Sequence, residues 1–257
     1  MTDDAQDQNL HARRASSFGE HASAYAEHRP DYPRAAVEWA VEPVADRLGL
    51  RVLDLGAGTG KLTEVLLRCG LEVTAVEPDA GMLAELRRRT PQVDARQGTA
   101  EAIPAPDASF DAVLVGQAFH WFDHDRALPE IARVLRPGGV LAALWNRDDD
   151  RVEWIAGLQK VARGEASSAK GYNQRKLPAH PAFGGWELAE FPHAHRRTAD
   201  SLTATIGTHS HTLVVPPGER AALLGRVREY LASRPETASG EFDLPMVTLT
   251  VRCARSR

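Results

Sequence analysis

The stretch Arg51-Val-Leu-Asp-Leu-Gly-Ala-Gly-Thr-Gly-Lys61 decides the fold. It begins with a short apolar run formed by Val52, Leu53 and Leu55, which is typical of a buried parallel strand. Three glycines then follow at every second position: Gly56, Gly58 and Gly60. The next residues have the apolar spacing of an amphipathic helix, and Gly70 ends it. A strand, a glycine turn and a helix predict the first unit of a doubly wound α/β sheet, in which ligands bind beyond the carboxyl ends of the strands.

The spacing of these glycines distinguishes between cofactors. A dinucleotide-binding loop reads G-x-G-x-x-G/A, but the third small position, counted from Gly56, is Lys61, which is long and charged. From Asp54 the loop instead reads D-x-G-x-G-x-G, which resembles motif I of the class I S-adenosylmethionine (SAM) dependent methyltransferases. SAM carries no phosphate, so such a loop needs room for a methionine chain. The resemblance implies that the loop contacts SAM through Asp54, Gly56, Ala57, Gly58 and Gly60.

An acidic residue follows the next predicted strand, Leu71 to Glu77. Glu77 lies 23 positions beyond Asp54 (77 − 54 = 23), near the interval of about 20 residues at which nucleotide-binding folds place an acid for the ribose hydroxyls. The alternative is that Glu77 caps the next helix. Asp79 is the better N-cap, which would leave Glu77 free to bind ribose. Pro78 belongs to the same predicted site, and Met82 would cover the adenine or fill the core.

Two later segments continue the resemblance. After a short strand over Val93–Gln97, the run Gly98–Pro104 is similar to the family signature that meets the adenine edge, which implies contacts by Thr99, Ala100 or Glu101. A plain exposed loop acid is the alternative for Glu101. The fourth strand, Phe110–Gln117, ends in Gln117, which would lie near the methyl-donor end of the cofactor.

An aromatic turn follows that strand and reads Gln117-Ala-Phe-His-Trp-Phe122. His120 is the only titratable residue inside it, and histidine can act as a general base near neutral pH. We therefore take His120 as the candidate catalytic residue. The alternatives are that His120 positions the turn or hydrogen-bonds the cofactor without moving a substrate proton.

The predicted helix Asp123–Arg136, the Arg136-Pro-Gly-Gly139 turn and the strand Val140–Trp145 are together typical of class I methyltransferases. The resemblance is strong over residues 51–145 and extends to the small-molecule branch with the general methyltransferase domain. It implies a Rossmann-like, seven-stranded sheet, mostly parallel with an antiparallel last strand and with helices on both faces. The sixth and seventh strands would be Trp186–His195 and Leu244–Arg252.

The domain organisation follows from composition. Residues 1–17 are polar and predict a disordered tail, and 18–257 would form a single methyltransferase domain with cap elements at about 18–48 and 151–235. A helix is predicted from Pro33 to Leu48. In relatives of this kind the tyrosine and arginine of the first cap can close over SAM, which here implies Tyr25 and Arg29. The alternative is a packed Tyr25 and a solvated ion pair at Arg29.

Composition excludes several classes of partner. The net charge of −4 and the pI near 6.2 argue against a basic nucleic-acid groove. There is no basic and apolar leader, and no apolar run of about 20 residues, so neither secretion nor membrane insertion is expected. The two cysteines show no paired spacing, which favours a reducing cytoplasm. No acid or cysteine lies between the paired histidines, so no metal is expected at His193, His195, His209 and His211.

The resemblance implies methyl transfer from SAM to a small-molecule acceptor by in-line displacement, with S-adenosylhomocysteine (SAH) as the product. Alignment alone can lower such a barrier by roughly 7–11 kcal/mol, so no conspicuous acid or base is needed. Three alternatives stay open: a SAM-binding protein without transfer activity, a SAM-dependent alkylating or cyclising enzyme, and a nicotinamide oxidoreductase, which Lys61 disfavours. The acceptor and the oligomeric state are not encoded in any motif.

Overall fold

The computed structural model describes residues 30–163, 177–207, 212 and 215–256. Its centre is a seven-stranded sheet in the order β3-β2-β1-β4-β5-β7-β6. Neighbours from β3 to β5 run parallel, with Leu53 of β1 between Thr74 of β2 and Val113 of β4. The strands are β1 (Arg51–Leu55), β2 (Glu72–Glu77), β3 (Asp94–Gln97), β4 (Phe110–Gly116), β5 (Leu135–Asp148), β6 (Glu187–Thr198) and β7 (Glu241–Ala254).

The described helices connect these strands. They are α1 (Arg34–Val41), α2 (Lys61–Arg68), α3 (Ala80–Arg89), α4 (His124–Val134), α5 (Glu153–Arg163), α6 (Ala199–Gly207) and α7 (Pro217–Ala232). Local sequence explains their starts: the Asp79 carboxylate accepts a hydrogen bond from the backbone N–H of Met82 at 2.8 Å and so caps α3. Gly60 precedes α2 with a φ of 90°, a conformation that glycine adopts at little cost.

Two apolar clusters lie on opposite faces of the sheet. Successive residues of a strand point to opposite faces of the sheet, so Leu53 belongs to the first cluster and its neighbour Val52 to the second. Helices α1 and α2 pack into the second cluster, and α4 packs into the first. Helices therefore cover both faces of the central strands, which confirms the predicted architecture.

Strand β7 runs antiparallel to β5. The backbone N–H of Arg255 donates to the carbonyl of Gly139 at 2.7 Å, and that of Asp149 donates to the carbonyl of Pro245 at 3.0 Å. The antiparallel last strand predicted from the sequence is thus confirmed. Strand β6 occupies the edge of the sheet, where Pro192 removes a backbone donor without breaking an inner ladder.

Two predicted elements differ from the structure. The helix predicted over Pro33–Leu48 ends at Val41, and a 3-10 turn, Glu42–Val44, follows it. Pro43 explains the change, because proline lacks the backbone N–H that a continuing α-helix needs. The predicted Arg136–Gly139 turn is an irregularity within β5: the pairing jumps from Phe110↔Leu135 to Ala112↔Val140, and Gly138 has a φ of 69°.

The described residues divide into two compact units. Unit 1 contains 30–146, 177–191 and 248–256, and unit 2 contains 147–163, 192–207, 212 and 215–247. Unit 2 has its own apolar cluster, to which α5, α6, α7 and the first half of β7 contribute. The single domain over 18–257 and its cap elements stay predictions, and the predicted tail, 1–17, lies outside the described residues. No helix among those described has the length and apolar character to cross a membrane.

Candidate functional site

The glycine loop lies at the carboxyl end of β1, and its first glycine has no space for a side chain. Gly56 has a φ of 71°, and a Cβ atom there would lie 2.8 Å from the Cβ of Ala118, in the turn after β4. Gly58 and Gly60 also have left-handed φ values, 57° and 90°. The backbone N–H groups of Gly56 and Ala57 donate to the carbonyl of Val76 at 2.8 and 3.1 Å. The loop is therefore fixed to β2 and faces the crevice between β1 and β4, the point where the strand order reverses.

Glu77 ends β2 beside this loop and is almost fully buried, with 6% of its surface exposed. One carboxylate oxygen accepts from the N–H of Gly58 at 2.8 Å, and the other accepts from the N–H of Asp79 at 2.9 Å. Asp79 is the N-cap as predicted, and Glu77 does not cap the helix, but its carboxylate already accepts these two backbone hydrogen bonds. Two of about four lone-pair positions on the carboxylate are used, so two remain for a ligand. Burial raises the pKa of Glu77, and the two backbone hydrogen bonds oppose this rise.

Asp54 is completely buried beneath the loop. One carboxylate oxygen accepts a hydrogen bond from the hydroxyl of Thr63 at 2.6 Å, and the other has no partner among the described residues. Burial raises the pKa of Asp54 to about 7, the Thr63 hydrogen bond lowers it, and the nearby charge of Glu77 raises it further. A buried acceptor atom without a donor costs free energy, which a cationic or hydrogen-bonding ligand group would recover.

Met82 and Pro78 border the same loop. Met82 is buried, and its sulfur lies 3.7 Å from where a Cβ of Gly58 would stand. Met82 therefore packs against the loop, and its contact with the adenine ring of the cofactor stays a prediction. Pro78 is exposed, and its carbonyl accepts from the side chain of Gln97 at 3.1 Å.

The segment predicted to meet adenine has mixed exposure. Thr99 is exposed and forms an isolated bridge with Ala102, whereas the methyl group of Ala100 is buried in the core. One carboxylate oxygen of Glu101 accepts from the backbone N–H of Asp123 at 3.0 Å, just before α4. Glu101 is thus more than an exposed loop acid, and Ala100 can offer a ligand only its backbone.

The aromatic turn follows β4 as predicted and contains a 3-10 turn, Phe119–Trp121. Gln117 has a φ of 57°, and its side chain donates to the carbonyl of Asn146 at 2.9 Å. The indole N–H of Trp145 points at Nδ1 of His120 over 3.5 Å, which orients the half-buried imidazole. Trp121 is 40% exposed beside it. The turn thus offers an imidazole and an exposed aromatic surface next to the crevice, and the catalytic role of His120 stays a prediction.

Sequence reasoning missed a set of contacts at the carboxyl end of β5. Asn146 lies in this part of β5. Its side-chain amide donates to the carbonyls of Asp31 and Pro30 at 3.2 and 3.4 Å. The carboxylate of Asp31 in turn accepts from Lys61 Nζ at 3.2 Å. The opposite charges of Asp31 and Lys61 were visible in the sequence, but nothing local indicates that residues 30 positions apart meet.

Several predicted residues lie outside the described part of the chain. They include Tyr25 and Arg29, so their proposed contacts with SAM stay predictions. His209 and His211 are also outside it, while burial lowers the pKa of His193. The described residues contain no group of three or more His, Cys, Asp or Glu side chains placed to hold a metal ion.

Comparison with known proteins identifies the family. A family model for the methyltransferase domain matches residues 53–143. An uncharacterized methyltransferase of Mycobacterium tuberculosis is 43% identical over 237 residues, which cover 92% of this chain and 94% of that protein. A further uncharacterized methyltransferase, from Schizosaccharomyces pombe, is 32% identical over 229 residues, 88% of this chain and 91% of its own length.

The fold comparison agrees with the sequence comparison. The structure of a proposed type II methyltransferase from Anaeromyxobacter dehalogenans superposes with a TM-score of 0.61 at 27% identity. The match covers 88% of this chain and 97% of that one. With the alternating-glycine loop, the acid that ends β2 and the antiparallel β7, these similarities show that the chain belongs to the class I SAM-dependent methyltransferases.

Proposed function

We propose that this protein transfers the methyl group of SAM to a small-molecule acceptor by in-line displacement and releases SAH. The observation that carries the proposal is the glycine loop beside Glu77 at the β1–β4 crevice. The backbone N–H of Gly58 donates to the Glu77 carboxylate, so the glycine loop and the predicted ribose acceptor are directly hydrogen-bonded. The net charge of −4 supports an acceptor other than nucleic acid. Two free thiols, Cys69 and Cys253, support a reducing cytoplasm as its location.

The residues at the crevice fit SAM. Glu77 would hold the ribose hydroxyls through its two remaining lone-pair positions, and the glycine loop leaves space for the methionine chain. The buried oxygen of Asp54 that lacks a donor fits the positive charge of the cofactor. When bound, SAM supplies a methyl group that is already strongly electrophilic.

The protein's own contribution is therefore alignment and exclusion of water. The left-handed glycines and the hydrogen bonds to Val76 hold the loop before any ligand arrives, which favours preorganised binding. His120, oriented by Trp145, lies in the turn that borders the crevice and would meet the acceptor or take its proton. Replacement of His120 by asparagine tests the proton-transfer role: loss of turnover with an unchanged SAM affinity supports it, and full turnover removes it.

Calorimetry with the purified chain tests the cofactor. We expect binding of SAM and SAH and no binding of NAD. Binding of NAD instead would favour the oxidoreductase alternative. Incubation with SAM and cell extract then tests the reaction. A methylated small molecule together with SAH is expected, whereas methylthioadenosine would indicate alkylation or cyclisation, and unchanged SAM would indicate a binding protein.

Glu77 gives the sharpest test of the site. The Glu77→Ala variant removes the ribose acceptor, so the SAM dissociation constant should rise by about 10- to 100-fold, or roughly 1.5–3 kcal/mol. Glu77→Gln is a second variant: it keeps an acceptor for one of the two backbone N–H groups but turns its amide NH2 toward the other, so weaker SAM binding is expected there too. An unchanged dissociation constant in Glu77→Ala would exclude Glu77 from the cofactor site.

A further inference from the structure

The short segment Pro30–Tyr32, here called the strap, lies at the carboxyl edge of the sheet. The Asn146 amide donates to the backbone carbonyls of both Pro30 and Asp31, and the hydroxyl of Thr248 donates to the Asn146 side-chain oxygen at 2.5 Å. Asn146 is therefore held by β7 while it holds the strap. The strap is fixed to the end of β5, the strand that lies next to β4 in the sheet.

An ion pair fixes the strap to a second element. The Asp31 carboxylate accepts from Lys61 Nζ at 3.2 Å with one oxygen and from Arg68 Nη2 at 3.1 Å with the other. Lys61 is the first residue of α2 and directly follows Gly60 of the glycine loop. Its side chain is only 19% exposed, compared with 47% for Asp31 and 56% for Arg68. The Lys61 contact is thus the less solvated of the two.

Tyr32 fixes the strap to a third element, the end of β4. The tyrosine is 7% exposed, and its hydroxyl oxygen lies 2.7 Å from where a Cβ of Gly116 would stand. Gly116 is the last residue of β4, just before the aromatic turn. A side chain at this position would displace the Tyr32 ring, so glycine is required for this close approach.

We infer that Asp31 is a positioning residue for the cofactor, acting through Lys61 to hold the strap against the glycine loop; this rests on the proposed function. The strap joins the start of α2, directly after the glycine loop, with the ends of β4 and β5, and β4 leads into Gln117, the predicted methyl-donor contact. Ion pairs this exposed contribute only about 0–1 kcal/mol to folding. Their loss should therefore loosen one wall of the crevice without unfolding the protein, and binding of the cofactor would then include the cost of ordering that wall.

Calorimetric titration of the full chain with SAM and with SAH tests this inference. For Asp31→Asn we expect both dissociation constants to rise by about five- to tenfold, because the wall is no longer held in place before binding. Lys61→Met should give a similar or smaller loss, because Arg68 still contacts Asp31 in that variant. The double variant should lose no more than Asp31→Asn alone, because the Asp31–Lys61 contact is already gone in Asp31→Asn. Asp31→Glu can still reach the cations and should recover most of the affinity.

Glu38→Gln is the matched control. Glu38 accepts from Arg34 at 2.7 Å on the exposed surface of α1, so its loss removes an acid–arginine pair but leaves the strap intact. Less than a twofold change in affinity is expected. Melting temperatures should agree within about 2 °C among all variants, since these pairs are partly exposed.

The outcomes separate this inference from the proposed function. Failure of the wild-type chain to bind SAM would overturn the proposed function, and the inference with it. If the wild type binds SAM but Asp31→Asn binds it equally well, or loses no more than Glu38→Gln, only the inference is overturned. A fall of more than about 5 °C in the melting temperature of Asp31→Asn, with no rescue by Asp31→Glu, would likewise overturn it, because Asp31 would then act on folding.

Discussion

At the scale of single residues, Asp54 makes the stability of the protein depend on pH in an unusual direction. Burial raises its pKa to about 7 in the folded state, from an ordinary value near 3.8. Between these values the folded chain keeps a proton that the unfolded chain has lost. Stability from this group is therefore fully present below about pH 4 and is lost as the pH rises through about 7.

The Asp54→Asn variant tests whether Asp54 causes this pH dependence of stability. Urea unfolding between pH 4.5 and 7.5 should show the wild type losing up to about 1.4 kcal/mol per pH unit more than the variant, the limit for a single proton. Glu77, whose pKa is also raised by burial, contributes in the same direction in both proteins, so the difference between them reports Asp54 together with its charge coupling to Glu77. Parallel pH profiles for the two proteins would show that Asp54 is ionised throughout the range.

At the scale of elements, Asp111 joins the amino-terminal ends of the strands, opposite the crevice. Its buried carboxylate accepts from Arg47 at 2.9 Å, from Arg136 at 2.9 Å on each oxygen, and from the backbone N–H of Arg51 at 3.1 Å. Burial alone would raise the pKa of Asp111, but these hydrogen bonds together lower it. Its stabilisation is thus present above about pH 4 and is lost as the pH falls through the lowered pKa.

Replacement of Asp111 by asparagine should therefore destabilise the sheet at neutral pH. We expect a loss of about 2–3 kcal/mol, less than the 3–5 kcal/mol typical of a fully buried pair, because both arginine side chains are about a third exposed. The loss should shrink as the pH approaches 3, and SAM affinity should change less than twofold. Urea denaturation measures the stability, and calorimetry measures the SAM affinity. Weakened SAM binding in a folded variant would show that Asp111 also affects the predicted cofactor site at the opposite ends of the strands.

The elements also show what a sequence can and cannot predict. The strands with strict apolar runs and the glycine loop were predictable, because each is specified by residues adjacent in the chain. The end of α1 was missed although Pro43 is visible, since apolar spacing continues past it. Contacts such as Asp31–Lys61 and Asn146–Asp31 could not be predicted, because nothing in their local sequence specifies which distant residue they will meet.

At the scale of the whole molecule, each of the two compact units has its own apolar packing, and the predicted cofactor contacts fall in only one of them. The residues predicted to bind the cofactor lie in unit 1 wherever the structure describes them, from the glycine loop to Gln117. Unit 2 has a separate core formed by α5, α6, α7 and part of β7. In α7, the Tyr230 hydroxyl donates to the carbonyl of Trp154 in α5 at 2.9 Å, and this bond ties the two helices together. A change in the core of unit 2 should thus act on the packing of that unit before it acts on the cofactor site.

Leu158→Ala tests this division. Leu158 is 2% exposed in the core of unit 2, so its truncation should cost about 2–5 kcal/mol from lost burial and the cavity left behind. Hydrogen exchange should show the loss of protection in α5, α6 and α7, while β1, β2 and β4 keep theirs. The SAM dissociation constant of the folded variant should stay within about twofold of the wild type, because no predicted cofactor contact lies in unit 2. Equal loss of protection in β1 and α5 would instead show that the two units unfold as one cooperative body.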